Sequence, residues 1–147
     1  MRLTLHTDYA LRLLIFLGLD PDQRRTIEEA AVHYGISRNH LMKVALTLTQ
    51  NGFVDSIRGR NGGLLLAKPA AEINIGAVIR KTEDNFNLVE CFDRATNTCP
   101  IVSSCQLKGP IAEAMQAFIA VLDRYTLADL LANPSTARNL RRLLGVA

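Results

Sequence analysis

Residues 26–67 carry the pattern that most restricts the fold. Thr26 is followed three residues later by Glu29, the reciprocal pairing of a capping box, and the helical run IEEAAVHY then stops at Gly35. Ile36-Ser37 restarts the pattern, with Ser37 placed to cap a second helix, RNHLMKVALTLTQ, that ends at Gly52. Two short helices joined by a glycine-containing turn are the sequence form of a helix-turn-helix. Phe53-Val54-Asp55-Ser56-Ile57 follows, alternating apolar and polar as a half-buried strand does. Arg58-Gly59-Arg60-Asn61-Gly62-Gly63 reads as a tight turn, and Leu64-Leu65-Leu66-Ala67 as the returning strand. A hairpin directly after a helix-turn-helix makes a winged helix.

In the second helix, Leu41, Val44, Ala45 and Leu48 share an apolar face. Ser37, Arg38, Asn39, His40 and Lys43 lie at its start or on the other side. Asn39 and Lys43 stand four apart, so they project together. Asn pairs with adenine through two hydrogen bonds, and Lys or Arg reaches guanine or phosphate. Residues at the start of a recognition helix are the ones that reach base edges. Arg58 and Arg60 at the wing tip suit a minor groove. The glycine-rich turn is not a nucleotide-phosphate loop, because GxxxxGK[ST] is missing and a strand follows it.

Charge supports the same surface. The net charge is +3, but residues 23–68 hold seven Lys or Arg against three acids, whereas residues 82–132 hold three against seven. A basic first half is the footprint of a surface that meets phosphates.

Outside this unit, residues 7–19 read as a first helix, capped by Thr7 or Asp8 and closed by Asp20-Pro21-Asp22. A short helix containing Ile73, Ile75, Ala77, Val78 and Ile79 follows the wing. From Gly109-Pro110 a stronger helix carries Ile111, Ala114, Met115, Phe118, Val121, Leu122 and Tyr125 at helical spacing, a stripe suited to a second copy of the chain. Thr126 and Asp129 form another capping box. STARNLRRLLGVA is expected to be a basic, frayed tail. The expected class is mainly α with a small β-hairpin wing. The expected units are a DNA-binding domain over 1–82, a cysteine-rich loop over 83–108, and a dimerisation helix with its tail over 109–147.

Every cysteine lies in one polar, turn-rich segment: Cys91, Cys99 and Cys105. An odd count excludes complete internal disulfide pairing. The spacing C-x7-C-x5-C lacks the CxxC pair of most structural zinc sites. Three soft thiols suit an iron–sulfur cluster or another soft metal, with a fourth donor from elsewhere. Zinc, a thiol switch or three unrelated cysteines are the other readings. A redox enzyme is disfavoured, since no acid–base pair or cofactor fingerprint accompanies the thiols. No signal peptide and no membrane-spanning run is read, so cytoplasm is the expected place.

HTDYALRLL, YGISRNHLMKV, RGRNGGLLLAKPAAEINIGAVIR, NLVEC, CQLKG and LDRYTLADLL, taken together, resemble the BadM/Rrf-type family of bacterial winged-helix iron–sulfur repressors over nearly the whole chain. HTDYALR, SRNHLMKV and YTLADLL look most like its nitric-oxide-responsive branch. TEDNF, VECF and CPIV are similar to its iron-responsive rhizobial branch. The resemblance implies a homodimer on pseudo-palindromic double-stranded operator DNA. It implies a 4Fe–4S cluster (alternatively 2Fe–2S) on Cys91, Cys99 and Cys105, with Asp8 of the second subunit as fourth ligand. Asp8 has a plainer role as a helix cap, His6 is a rival ligand, and Arg12 is placed one turn beyond Asp8 to touch it. A His ligand just after the last cysteine is disfavoured, because Gln106, Leu107 and Lys108 stand there. Nitric oxide is the implied signal, releasing DNA and derepressing detoxification genes; iron supply is the alternative signal.

Overall fold

The computed structural model describes residues 2–146. Its elements are α1 (Leu5–Gly18), α2 (Ile27–Tyr34), α3 (Arg38–Gln50), β1 (Val54–Ile57), β2 (Gly63–Leu66), α4 (Ile75–Thr82), α5 (Lys108–Leu122), α6 (Leu127–Leu131) and α7 (Pro134–Leu143). Short 3-10 turns lie at Ala70–Glu72 and Glu90–Phe92. The architecture is mainly α with one two-stranded antiparallel hairpin, as the sequence indicates.

α1 is the centre of the packing. Ala10, Leu13, Leu14, Phe16 and Leu17 are buried along it, and α3, α4, α6 and β2 all rest on it. Burying apolar side chains on one stripe is what holds a short helix in place, since isolated helices of this length are marginal in water. Two buried polar residues join α1 to α4: the Thr7 hydroxyl donates to that of Thr82 (2.9 Å), which donates to the Val78 carbonyl (3.0 Å). The Thr7 and Thr82 hydroxyls therefore both have partners.

The helix-turn-helix forms where the sequence places it. Thr26 accepts from the Glu29 N–H while the Glu29 carboxylate accepts from Thr26. Gly35 takes a left-handed conformation (φ 63°) that side chains disfavour, which ends α2 and turns the chain into α3. Leu41, Val44, Ala45 and Leu48 of α3 are buried, as their spacing indicates.

Four local expectations are corrected. α1 begins at Leu5 and is capped by Thr4, whose hydroxyl accepts from the Thr7 N–H, so neither Thr7 nor Asp8 caps it. Glu83 fixes that choice by accepting from the Thr4 N–H (2.7 Å) and hydroxyl (3.1 Å). Ser37 holds the cap position of α3 without a side-chain hydrogen bond. The hairpin does not alternate: Phe53 and Val54 are both buried, whereas Asp55, Ser56 and Ile57 are exposed, because the strand leaves the core towards the wing tip. The C-terminal segment is not frayed. Asn133 caps α7 through the Ser135 and Thr136 N–H groups, Ala137, Leu144 and Val146 are buried, and Arg141 donates to the Leu19 carbonyl (2.6 Å).

α5 is the least covered helix. Of its side chains only Ile119, absent from the expected stripe, is buried, and it packs with Ile75 and Ile79 of α4. The Asp123 carboxylate just beyond it grips Arg80 with two bonds of 2.6 Å. Met115, Phe118 and Leu122 are half-buried, and Val121 and Tyr125 are exposed. Below this helix, the Asn74–Thr126 bridge and the Leu127 N–H to Ile73 carbonyl bond (2.8 Å) tie the start of α6 to the segment before α4.

Leu127 is fully buried at this junction. Leu127→Ala is expected to destabilise the fold by about 2–5 kcal/mol through lost burial and a residual cavity. Denaturant unfolding checks this, and a loss under about 1 kcal/mol would mean the site collapses around the smaller side chain.

Candidate functional site

α3 presents its polar side outward. Ser37, Arg38, Asn39 and Lys43 are exposed, and His40 is half-buried with its ring edge-to-face on Tyr9 (centroids 4.8 Å apart). His40 is therefore held by packing against α1 and is less free than its neighbours. Arg38 Nε lies 3.4 Å from Glu28 on α2, a surface pair of small energetic weight.

The wing stands beside the start of α3. Arg58 and Arg60 are exposed at its tip. A methyl group on Gly62 would meet the Ile57 carbonyl at 2.3 Å, so only glycine lets the turn close this tightly. Arg24 donates to the Asn61 carbonyl (3.0 Å), and Arg25 exchanges two backbone bonds with Leu64 (3.1 and 2.7 Å). Arg24 enters the sequence reading only as a charge, and its bracing of the wing has no local signal. A cleft of about 380 Å³ separates the wing from the helices and is lined by Arg38, Arg60, Thr26 and Glu28 among others. Of the predicted helix and wing cations, Arg38 and Arg60 line this one groove, and Lys43 and Arg58 do not.

The three cysteines line a different cavity from the wing cleft. Cys91, Cys99 and Cys105 are all half-buried and line one cavity of about 210 Å³, walled by Val89, Ile101, Leu107 and Ile111. Among the described residues, no three His, Cys, Asp or Glu side chains are drawn together to metal-holding distance. Neither Asp8 nor His6 lines that cavity. Asp8 is gripped by Arg12 through bonds of 3.1 and 2.6 Å, and His6 Nε2 lies 3.1 Å from the Thr47 hydroxyl of α3. Within one chain, then, the cysteines line one cavity without closing on one another as a metal-holding group, and Asp8 meets Arg12.

The loop between the first two cysteines is heavily hydrogen-bonded. Asp93 accepts from the Ala95 N–H and the Thr96 hydroxyl (both 2.9 Å), and Glu90 accepts from Thr98. These donors, the backbone N–H of Ala95 for Asp93 and that of Thr98 for Glu90 foremost, hold both carboxyls below their ordinary range.

The comparisons with known proteins agree with this geometry. The family model described as "Iron-dependent Transcriptional regulator", Rrf2, matches residues 3–133. The chain belongs to the Rrf2 family. It is 52% identical over 147 residues to the HTH-type transcriptional regulator NsrR of Oceanobacillus iheyensis, covering 99% of this chain and 98% of the relative. It is 50% identical over 144 residues to NsrR of Bacillus subtilis, covering 97% and 99%. Among solved structures it is similar to the oxidised form of CymR from Staphylococcus aureus, with a TM-score of 0.69 and 27% identity over 88% of this chain and 95% of that one. The chain is accordingly a transcriptional regulator and not an enzyme. Among the described residues, no helix is long and apolar enough to cross a membrane.

One titration tests the packing behind the Rrf2 site. The Tyr34 hydroxyl donates to the Arg12 carbonyl (3.0 Å), and burial pushes its phenol up to about 12, with the Arg12 charge pulling the other way. The unfolded value is about 10. Its contribution to stability is therefore full below about pH 10 and is lost as pH rises towards about 12. In a phenolate absorbance titration, the highest-pH phase should disappear in Tyr34→Phe. A Tyr34→Phe titration that keeps that phase contradicts the assignment.

Proposed function

We propose that this Rrf2 protein is a homodimeric repressor of operator DNA that carries a 4Fe–4S cluster and responds to nitric oxide. The observation that carries the reading is the convergence of all three cysteines on one apolar-walled cavity, in a chain whose near-full-length relatives are named NsrR. The donor set fits: three soft thiols lining one apolar-walled cavity suit iron–sulfur ligation. Cys91, Cys99 and Cys105 would hold the cluster, with Asp8 of the partner subunit as the fourth donor. When bound, the cluster supplies iron that nitric oxide attacks.

The chain's own residues account for the rest. Asn39 and Lys43 enter a major groove from the exposed side of α3, with Ser37, Arg38 and His40 at the backbone beside them. Arg58 and Arg60 reach the flanking minor groove, where narrow A/T-rich DNA concentrates negative potential. The exposed part of the α5 stripe, Ala114 and Val121 with Tyr125 just beyond the helix, provides the surface for a second copy. A two-fold dimer sets two recognition helices on two half-sites, hence a pseudo-palindromic operator. Asp8 sits on the helix that packs α3, between His6, which meets Thr47, and Tyr9, which meets His40. A pull on Asp8 therefore acts on the recognition helix through two contacts. When Asp8 is not a ligand, Arg12 holds it. The second reading is an iron-responsive repressor, and the family description "iron-dependent" favours it.

Two variants test the two halves separately on a duplex selected by the wild-type dimer from a random pool. Cys99→Ala should abolish the cluster's visible absorbance, keep the dimer by sedimentation, and lose cluster-dependent repression. Full absorbance and full repression would refute the ligand assignment. Arg58→Ala should leave the absorbance intact and weaken DNA binding about five- to tenfold, as expected for one lost charged contact per half-site, with a shallower salt dependence. An unchanged affinity would remove the wing from the interface.

A further inference from the structure

We infer that Glu90 and Thr98 are a positioning pair that presets Cys91 and Cys99 for a shared metal centre. The inference deepens the proposed cysteine site and rests on it. Glu90 immediately precedes Cys91, and Thr98 immediately precedes Cys99. The Thr98 N–H and hydroxyl both donate to the same Glu90 oxygen, at 2.5 and 2.7 Å. The two residues thus close the neck of the loop at the roots of the two thiols.

Inside that closure the loop is filled by its own bonds. The Asn97 N–H donates to the Asp93 carbonyl (3.1 Å), and the Cys99 N–H donates to the Asn97 side chain (3.1 Å). Together with the Asp93 bonds described above, they leave little slack between Phe92 and Cys99. A free loop of this length would have to lose its closure entropy when a metal pulls two thiols together. A neck already closed removes most of that cost before the metal arrives. Hydrogen bonds to a carboxylate are the stronger kind, about twice a neutral one.

Cys105 lies outside the closure. Among the described residues, the hydrogen bonds holding the stretch between Cys99 and Cys105 are the Val102 N–H to Cys99 carbonyl bond (3.4 Å) and the Ser104 N–H to Ile101 carbonyl bond (3.0 Å). Cys91 and Cys99 are thus the preset pair, and Cys105 completes the set from a looser segment. A carboxylate beside thiolates is electrostatically unfavourable, since like charges repel. The service of Glu90 is therefore geometric, and a side chain with the same reach and no charge should replace it in large part. Glu90 is exposed and takes no part in the hydrophobic core, so its removal leaves the fold's packing intact.

The test uses the full-length dimer loaded anaerobically with ferrous iron and sulfide. Iron and sulfide per chain, visible circular dichroism, and the rate of bleaching by an added iron chelator are measured. Glu90→Ala should bleach about tenfold faster than wild type and show an altered visible dichroism, the scale expected for losing a charged hydrogen bond. Its metal-free far-ultraviolet dichroism and melting temperature should match wild type. Thr98→Ser should behave as wild type, and Glu90→Gln, which keeps the acceptor in a weaker neutral form, should bleach far more slowly than Glu90→Ala. Thr98→Val, at an exposed position and with the backbone bond kept, should fall between. Equal bleaching rates and dichroism in Glu90→Ala, Thr98→Val and wild type would overturn the inference while leaving the cluster assignment standing. Equal damage in Glu90→Ala and Glu90→Gln would also overturn it, since charge and not geometry would then matter. A wild-type chain that takes up no iron and sulfide would remove the cluster assignment, and this inference with it.

Discussion

The apolar stripe on α1 sets the position of almost everything else. Leu13, Leu14, Phe16 and Leu17 are removed from water by α3 on one side and by α4 and α6 on others. Each such side chain contributes roughly 1.5–3 kcal/mol when fully buried, so the helix is fixed in place more firmly than its own hydrogen bonds could fix it. The recognition helix takes its angle from that contact. The wing is tied to the same body through Arg25 and Leu64. The polar start of α1, with His6, Asp8 and Arg12, lies at the edge of this packed centre, where a ligand can act on it.

The placing of charge follows from the same arrangement. The core faces of α1 and α3 are apolar, so cations of the first half are left on the outside of α3 and on the wing, and Arg38 and Arg60 face one cleft. The acids gather after α4, on the cysteine loop and around α5, where several serve as loop and helix caps: Asp93 in the loop, Asp129 at α6. A phosphate backbone is attracted to the first surface and repelled from the second. On the proposed reading, one surface meets DNA and the other meets the metal and the partner, with α1 between them.

How much of this was legible in the sequence depends on how local the cause is. The capping box at Thr26, the left-handed Gly35 and the apolar spacing of α3 are decided within a few residues, and each is where the sequence puts it. Thr4, and not the expected Thr7 or Asp8, caps α1, and it is held there by Glu83 far along the chain, a contact with no local signal. α7 was misread because its charges dominate its pattern, while its anchors, Ala137, Leu144 and Val146, find their partners only in the folded core. Ile119 was missed on α5 for a related reason: the stripe read from sequence is partly covered and partly exposed, and the buried residue lies beside it. The cysteines could be grouped by spacing, and they do line one cavity. The neck formed by Glu90 and Thr98 could not be read, because loop hydrogen bonds leave no periodic signal.

The most direct measurement is a nitric-oxide titration of anaerobically purified dimer on labelled operator DNA, with visible absorption and fluorescence anisotropy followed in the same cuvette. The expected result is that the brown chromophore bleaches and DNA leaves in step, within the first few equivalents of nitric oxide per cluster. A chromophore that survives nitric oxide, with DNA released only when iron is chelated, would contradict nitric-oxide sensing and make iron supply the signal.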